Sequence, residues 1–248
     1  AALDDSGAPL AIEAPWPGAN SSGRRLAWAR WLTQANSRPA ALLARVQANR
    51  IWQHHFGAGI VSSTENLGAS GAPPSHEELL EYLAAEFIRS GWSTKHMHRL
   101  LMGSDAYRRT SALNDKAFGV DPDNRLLWRY SLRRLDAESL RDAMLAVSGR
   151  LDRRFGGSYI PTTRDEFGEV LIRPDTPGAL RRSIYLQQRR TQTVSLLGVF
   201  DSPTIVFNCV ERPASTMPLQ SLSLLNADFV VSAAGHFAAR LAVEAGSD

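Results

Sequence analysis

The fold class of this chain is decided by residues 39–57, which read PAALLARVQANRIWQHHFG. Pro39 suits the first turn of a helix, because proline lacks an N–H that this turn leaves unpaired. Gly57 is typical of a residue that ends a helix. The sequence therefore predicts a helix from Pro39 to Phe56. Its spacing places six side chains on one face: Leu42, Val46, Asn49, Trp52, Gln53 and Phe56.

Helical patterns with start and stop signals recur on both sides of this segment. Before it, an apolar stripe from Leu26 to Leu32 predicts one helix. After it, Ser75 and Glu78 form a capping box for a helix that ends near Gly91, and Ser93 caps the next. The remaining predicted helices are Asp121–Arg129, one capped by Asp136 and closed by Gly149, Pro218–Leu225 and Ala227–Glu244.

Inward faces are predicted for two of these later helices. In the helix after Asp136 they are Leu140, Met144 and Val147. In the last helix they are Val230, Ala233, Phe237 and Leu241.

Strand signals occur only in the second half of the chain. Arg182–Gln188 alternates apolar and polar residues, and Thr204–Val210 is a second candidate strand. The sequence thus predicts a mainly α fold, a helical domain with a small β element (two short strands or a hairpin) in its C-terminal half. We expect a single globular domain over residues 23–248. Residues 1–22 are expected to be an extended linker from a longer parent protein, since they are rich in proline and do not resemble a signal peptide.

Composition restricts the classes of function. Of the 248 residues, 44% are hydrophobic and 21% charged, as in ordinary globular domains. The net charge of only +3 argues against a nucleic-acid partner. Apolar stretches such as Phe229–Ala234 are far shorter than the roughly 20 residues of a membrane span, so no direct membrane insertion is expected. The single cysteine, Cys209, excludes an internal disulfide, and its apolar neighbours predict a buried, unreactive thiol.

The chain is rich in arginine: among its 28 basic residues only Lys95 and Lys116 are lysines. Codon bias would explain this, and so would a need for guanidinium groups, which pair bidentately with carboxylate, phosphate or sulfate. On the predicted helix Arg125, Arg129 and Arg133 would share a face. Together with Arg134 they predict either ion pairs with acidic residues of the chain or an anion-binding surface.

The helix over 39–56 also carries candidate site residues. Asn49 and Gln53 lie on its apolar face, where an unpaired amide costs about 1–3 kcal/mol. They either bond to the following loop or line a ligand pocket together with Arg50. His54 and His55 are weak candidates for acid–base catalysis. Adjacent helical residues point about 100° apart and cannot hold one ion, so we predict no metal site, and no cofactor fingerprint occurs either.

Several of these segments, in this order, resemble the planctomycete PSD1 family, also called domain of unknown function 1553. The blocks that carry the resemblance span about residues 24–240 and include Asn49–Gly57, Pro73–Leu80, Gly91–Ser93, Asp121–Arg129, Arg133–Gly149, Arg181–Tyr185, Phe200–Pro203 and Thr216–Leu222. The resemblance implies the C-terminal domain of a large exported protein, hence an extracytoplasmic location. It also implies that other domains of the parent protein, a cytochrome-c-like domain among them, are the partners. It brings no established activity and no catalytic residue.

Three functions follow from these observations. The favoured one is a non-catalytic docking or scaffolding module next to cytochrome-c-like or carbohydrate-binding domains, which predicts an exposed apolar patch. The first alternative is an enzyme acting on acidic or sulfated polysaccharide through the arginines and a histidine. It predicts that Asn49, Arg50, His54 and the segment Arg125–Arg134 converge on one cleft. The second alternative is a domain that binds an electron-transfer partner.

Overall fold

A computed structural model describes residues 16–18, 20–203, 209, 212 and 214–246. Within these residues the fold is mainly α, as predicted, with 46% helix and one two-stranded antiparallel sheet in the C-terminal half. The helices described are α1 (Arg24–Thr33), α2 (Arg38–Phe56), α3 (Glu77–Arg89), α4 (Thr94–Met102), α5 (Asp115–Val120), α6 (Ala137–Val147), α7 (Ser195–Val199), α8 (Pro218–Asn226) and α9 (Asp228–Glu244). The sheet pairs β1 (Thr163–Arg164) with β2 (Val170–Leu171).

The chain forms two compact units, Ala1–Arg133 and Arg134–Asp248. The first contains α1 to α5 and the second contains α6 to α9 and the sheet. The segment predicted to be an extended linker, residues 1–22, lies for the most part outside the described residues.

Local capping explains why α2 has its observed ends. At its start Ser37 Oγ accepts a hydrogen bond from the N–H of Ala40. At its end the N–H of Gly57 donates to the carbonyl of Gln53, and Gly57 adopts a φ of 92°, which favours glycine. Ser93 caps α4 in the same way through the N–H of His96, as predicted.

The capping box predicted at Ser75 and Glu78 is wrong. Helix α3 begins after His76, and no side chain caps it. Ser75 instead donates from its N–H and its Oγ to the carbonyl of Ile60, at 2.8 and 3.2 Å. The loop between α2 and α3 therefore uses the serine to hold its own backbone.

The core of the first unit lies between α2, α3 and α4. Alanines 44 and 48 of α2 are fully buried, and their small side chains let α3 pack closely. Trp52 and Phe56 stack with ring centroids 4.0 Å apart at the C-terminal end of α2. The predicted face of α2 is therefore correct over its second half, whereas Leu42 in the first half is exposed.

A separate core fills the second unit, where α6 and α7 pack on the segments around Ile160 and Leu186. Helix α6 buries Ala137, Arg141 and Leu145. The predicted inward face is correct only in part: Leu140 packs against this core and Met144 is half-buried, whereas Val147 is exposed. The buried row is shifted because the guanidinium of Arg141 binds a distant loop.

Two further predicted elements differ from the structure. Arg182–Gln188 is not a strand: Ser183–Tyr185 forms a 3-10 turn, and Leu186 makes only an isolated bridge to Ile160. The predicted helix Asp121–Arg129 is a series of turns. The second predicted strand, Thr204–Val210, lies outside the described residues except for Cys209, which is exposed rather than buried.

Candidate functional site

Asn49 is used to tie α2 to the loop that follows it. The side chain is fully buried, its Nδ2 donates to the carbonyl of Val61 at 3.0 Å, and its Oδ1 accepts from the N–H of Val61 at 2.9 Å. Both amide groups are thus paired inside the first unit. Gln53 is also buried, and its Oε1 has no hydrogen-bond partner among the described residues, whereas Arg50 is exposed.

Arg133 closes the C-terminal end of α2. Its guanidinium donates to the carbonyls of His54 and His55, at 3.1 and 2.9 Å. The hydroxyl of Tyr130 donates to the same His55 carbonyl at 2.8 Å. These carbonyls are among those that the last helical turn leaves unpaired, and the helix dipole favours a cation there. The Cδ of Arg133 lies 2.9 Å from where a Cβ on Gly57 would stand, so the contact also requires glycine.

Residues 121–129 form a series of turns and not a helix. Arg125 and Arg129 therefore do not share a helix face with Arg133. The Asp121 carboxylate accepts from the N–H groups of Arg125 and Leu126, at 3.0 and 2.8 Å. Such side-chain bonds compete with a helix. The Arg125 side chain is exposed, and the guanidinium of Arg129 lies 4.8 Å from the ring centroid of Trp128.

Arg134 belongs to a hydrogen-bond network within the second unit. Its Nη2 lies 2.6 Å from Asp201 Oδ2, and its Nη1 donates to the carbonyl of Ser215 at 3.0 Å. Asp201 also accepts from the N–H and Oγ of Ser215. These bonds, those of Ser215 first, hold the pKa of Asp201 below its usual value. The sequence predicted either ion pairs with acidic residues of the chain or an anion-binding surface, and Arg134 forms an ion pair of the first kind.

The two histidine candidates differ in their surroundings. His54 is exposed, whereas the Nε2 of His55 lies 2.8 Å from the Nδ1 of His98 on α4. The Tyr107 ring packs edge-on against His55, with centroids 5.5 Å apart. Burial lowers the pKa of His55, and the charges of His98, Arg133 and His54 lower it further. In this contact one imidazole nitrogen donates and the other accepts.

Side chains of the types that bind metals do not cluster in the described part of the chain. No group of three or more His, Cys, Asp and Glu side chains there could hold an ion. His96, on the same helix as His98, pairs instead with Glu86 at 2.8 Å.

A different feature stands out on α8 and α9, which expose several large apolar side chains, a set that we call the α8–α9 face. Its members are Leu219, Leu222, Leu225, Val231, Phe237, Leu241 and Val243. Leu225 and Val243 are 74% and 83% exposed. Of the four positions predicted to face inward on α9, only Ala233 is buried.

Among the described residues no single helix has both the length and the apolar character of a span. Helices α8 and α9 have them only as a pair, and the pair is bent by 57°.

The family assignment rests on the whole chain. The sequence profile described as "PSD1: Protein of unknown function (DUF1553)" matches residues 24–247. The chain belongs to the PSD1 family. No curated protein and no solved structure matches it. PSD1 membership confirms the resemblance found from the sequence blocks, and the family description assigns no activity.

Sequence reasoning missed the residues that surround His55 in this PSD1 chain. His98, Tyr107 and Tyr130 lie 43 or more residues away and meet His55 only because α4 and the segment after α5 pack near the end of α2. No spacing within the sequence connects them. The exposed apolar residues of α8 and α9 are visible in the sequence, but their helical spacing is equally typical of a buried face.

Proposed function

We propose that this PSD1 domain is a non-catalytic docking module, whose α8–α9 face binds an apolar surface of another domain of a longer, exported parent protein. The observation that supports the proposal is the exposure of eight large apolar side chains on two consecutive helices, the seven named above and Leu224. Single exposed apolar residues are normal, whereas large exposed apolar areas are typical of interaction surfaces, and the concentration of such residues on two helices supports this role. In this role the module would position a neighbouring cytochrome-c-like or carbohydrate-binding domain.

Charge favours a protein surface over a lipid surface as the occupant. Between Asp228 and Arg240, α9 contains no Asp, Glu, Lys or Arg. Arg240 is already paired: its Nε lies 2.6 Å from Glu244 Oε1, and its Nη1 donates to the carbonyl of Val147 at 3.0 Å. Helices that bind membrane surfaces carry many lysines and arginines on their polar side. A neutral apolar face is instead typical of the centre of a protein–protein interface, where charged residues are depleted.

The geometry gives less support to the enzyme hypothesis. Arg133 donates to the backbone of His54 and His55, and Arg134 binds Asp201 in the second unit. Of the arginines expected to bind a sulfate or carboxylate, Arg133 and Arg134 thus have structural bonds, whereas Arg125 is exposed. Asn49, one of the two candidate amides on α2, is buried and paired with Val61.

The proposal is tested with the full chain and the separately produced remaining domains of its parent protein. We expect saturable binding by isothermal titration calorimetry. In a Leu222→Asp/Leu225→Asp double variant the affinity should fall at least tenfold, because two charges would be buried in the interface. The matched control is Leu132→Asp, which changes a leucine that is 81% exposed in the first unit and should leave the affinity unchanged.

Three results would contradict the proposal. One is that no parent domain binds, or that binding is equally strong in the α8 double variant. Another is a homodimer in light scattering that the same double variant dissociates, since the face would then be occupied by a second copy. The third is sedimentation of the wild-type chain with anionic vesicles that the double variant loses. Circular dichroism of each variant confirms that the helices are retained.

A further inference from the structure

A groove of about 520 Å³ lies beside α6 in the second unit, away from every residue used above for docking. Its charged lining consists of Asp142 of α6, Arg153 and Arg182. Its apolar lining consists of Ala143, Ala146 and Leu151. A cleft of this volume falls in the range that holds small-molecule ligands.

The carboxylate among the groove's lining residues, Asp142, is paired with groups of the protein. Asp142 Oδ1 accepts from the N–H and the Oγ of Ser183, both at 2.7 Å, and its Oδ2 lies 3.3 Å from Arg182 Nε. The guanidinium of Arg141 is 3.7 Å from Oδ1 on the buried side. Burial lowers the pKa of Arg141 to about 10, so it is still charged at neutral pH and balances Asp142.

Two arginines therefore carry uncompensated charge into the groove. Arg182 is held through its Nε by Asp142, and no described residue accepts a hydrogen bond from its two Nη atoms. Arg153 has no carboxylate partner among the described residues, since the adjacent Asp152 pairs with Arg154 at 2.7 Å. A guanidinium whose Nε is fixed and whose Nη atoms face solvent is oriented to take an oxyanion bidentately.

The rest of the lining consists of the exposed Ser139 and three apolar residues, and the apolar residues favour a ligand with a hydrocarbon group. Ala143 and Ala146 are three residues apart on α6 and so lie on neighbouring turns of one helix face, and Leu151 follows after the helix ends. All three side chains are half-buried and present only carbon atoms. Apolar area is removed from water when a hydrocarbon group covers them, which adds to the binding free energy.

From this combination we propose that the α6 groove binds a small organic carboxylate, with the carboxylate on Arg153 and Arg182 and its apolar body on Ala143, Ala146 and Leu151. The proposal does not depend on the docking function, because none of these residues belongs to the α8–α9 face.

Sodium benzoate is a suitable probe, titrated at constant ionic strength into the full chain and followed by NMR chemical shifts. We expect saturable binding that is stronger than that of acetate, which lacks the apolar body, and of benzyl alcohol, which lacks the charge. Arg153→Gln should weaken benzoate binding at least tenfold. The matched control, Arg173→Gln, changes an exposed arginine of the same unit outside the groove and should leave binding unchanged.

A second variant tests the apolar wall without removing charge. Ala146→Leu fills the groove from a half-buried position and should weaken benzoate more than acetate. The proposal is overturned if benzoate shifts do not saturate, if Arg153→Gln and Arg173→Gln bind alike, or if acetate and benzoate bind equally well to the wild-type chain.

Discussion

Arg141 shows how one buried charged residue determines the packing of a helix. Its side chain is 2% exposed, and its Nη atoms donate to the carbonyls of Arg181 and Ala179 and to Ser183 Oγ, at 2.6 to 3.1 Å. Arg141→Ala would leave these acceptors and Asp142 without their partner. We expect the free energy of unfolding in urea to fall by about 3–5 kcal/mol. The control Arg153→Gln, at an exposed position, should change it by no more than about 0.5 kcal/mol, and a similarly small loss for Arg141→Ala would contradict this assignment.

Asn49 is a buried polar residue of the first unit that, like Arg141 in the second, has structural hydrogen bonds. Its partners are the backbone N–H and carbonyl of Val61. Asn49→Leu keeps the approximate size of the side chain but leaves the buried N–H and carbonyl of Val61 unpaired. Each of these two groups costs about 1–3 kcal/mol, so we expect the free energy of unfolding to fall by about 2–6 kcal/mol. Urea denaturation monitored by tryptophan fluorescence measures the loss. Arg50→Gln, the exposed neighbour, serves as the control, and equal stability of the two variants would show that the Asn49 bonds are not important.

The contact between α2 and α4 predicts a dependence of stability on pH. His55 faces His98 of α4 and Tyr107, with Arg133 and His54 nearby, and burial and these charges lower its pKa below the usual value of 6.5. The unfolded chain therefore takes up this proton at a higher pH than the folded chain. The stabilisation is present above pH 6.5 and is lost as the pH falls from there through the pKa of folded His55.

Urea midpoints at pH 7.5 and pH 5.0 measure this effect. The wild-type midpoint should fall on acidification, and His55→Gln should reduce that fall. His54→Gln is the matched control, since His54 is the exposed neighbour on the same helix and should retain most of the dependence. A fall of equal size in wild type and His55→Gln would contradict a role for His55.

Elements whose ends are set by neighbouring residues could be predicted from the sequence, and elements set by distant contacts could not. The ends of α2 follow from Ser37, Pro39 and Gly57, all adjacent to the helix. In contrast, the buried face of α6 depends on carbonyls about 40 residues away. The alternating segment after Arg181 resembles a strand, yet Ile184 is exposed and the backbone makes a 3-10 turn.

In the candidate site, too, the residues themselves could be predicted from the sequence, whereas their distant partners could not. Asn49 and Arg133 were singled out by residue type, and the structure gives both of them polar contacts within the first unit. Their partners, the backbone of Val61 and the end of α2, could not be read from residue types, because any backbone can accept or donate. Adjacent arginines even serve different units: Arg133 bonds within the first and Arg134 within the second.

At the scale of the whole molecule, each unit buries a core of its own. Among the described residues, the first hydrophobic cluster is built from residues up to Tyr130 and the second from residues between Ala137 and Phe200. We therefore expect two unfolding transitions in differential scanning calorimetry, because a separate core is the basis of independent folding. Leu83→Ala, in the first core, and Leu197→Ala, in the second, each remove a side chain that is almost completely buried. Each substitution costs about 2–5 kcal/mol and should lower the temperature of one transition while leaving the other in place. A single transition that both variants lower would show instead that the two units unfold as one.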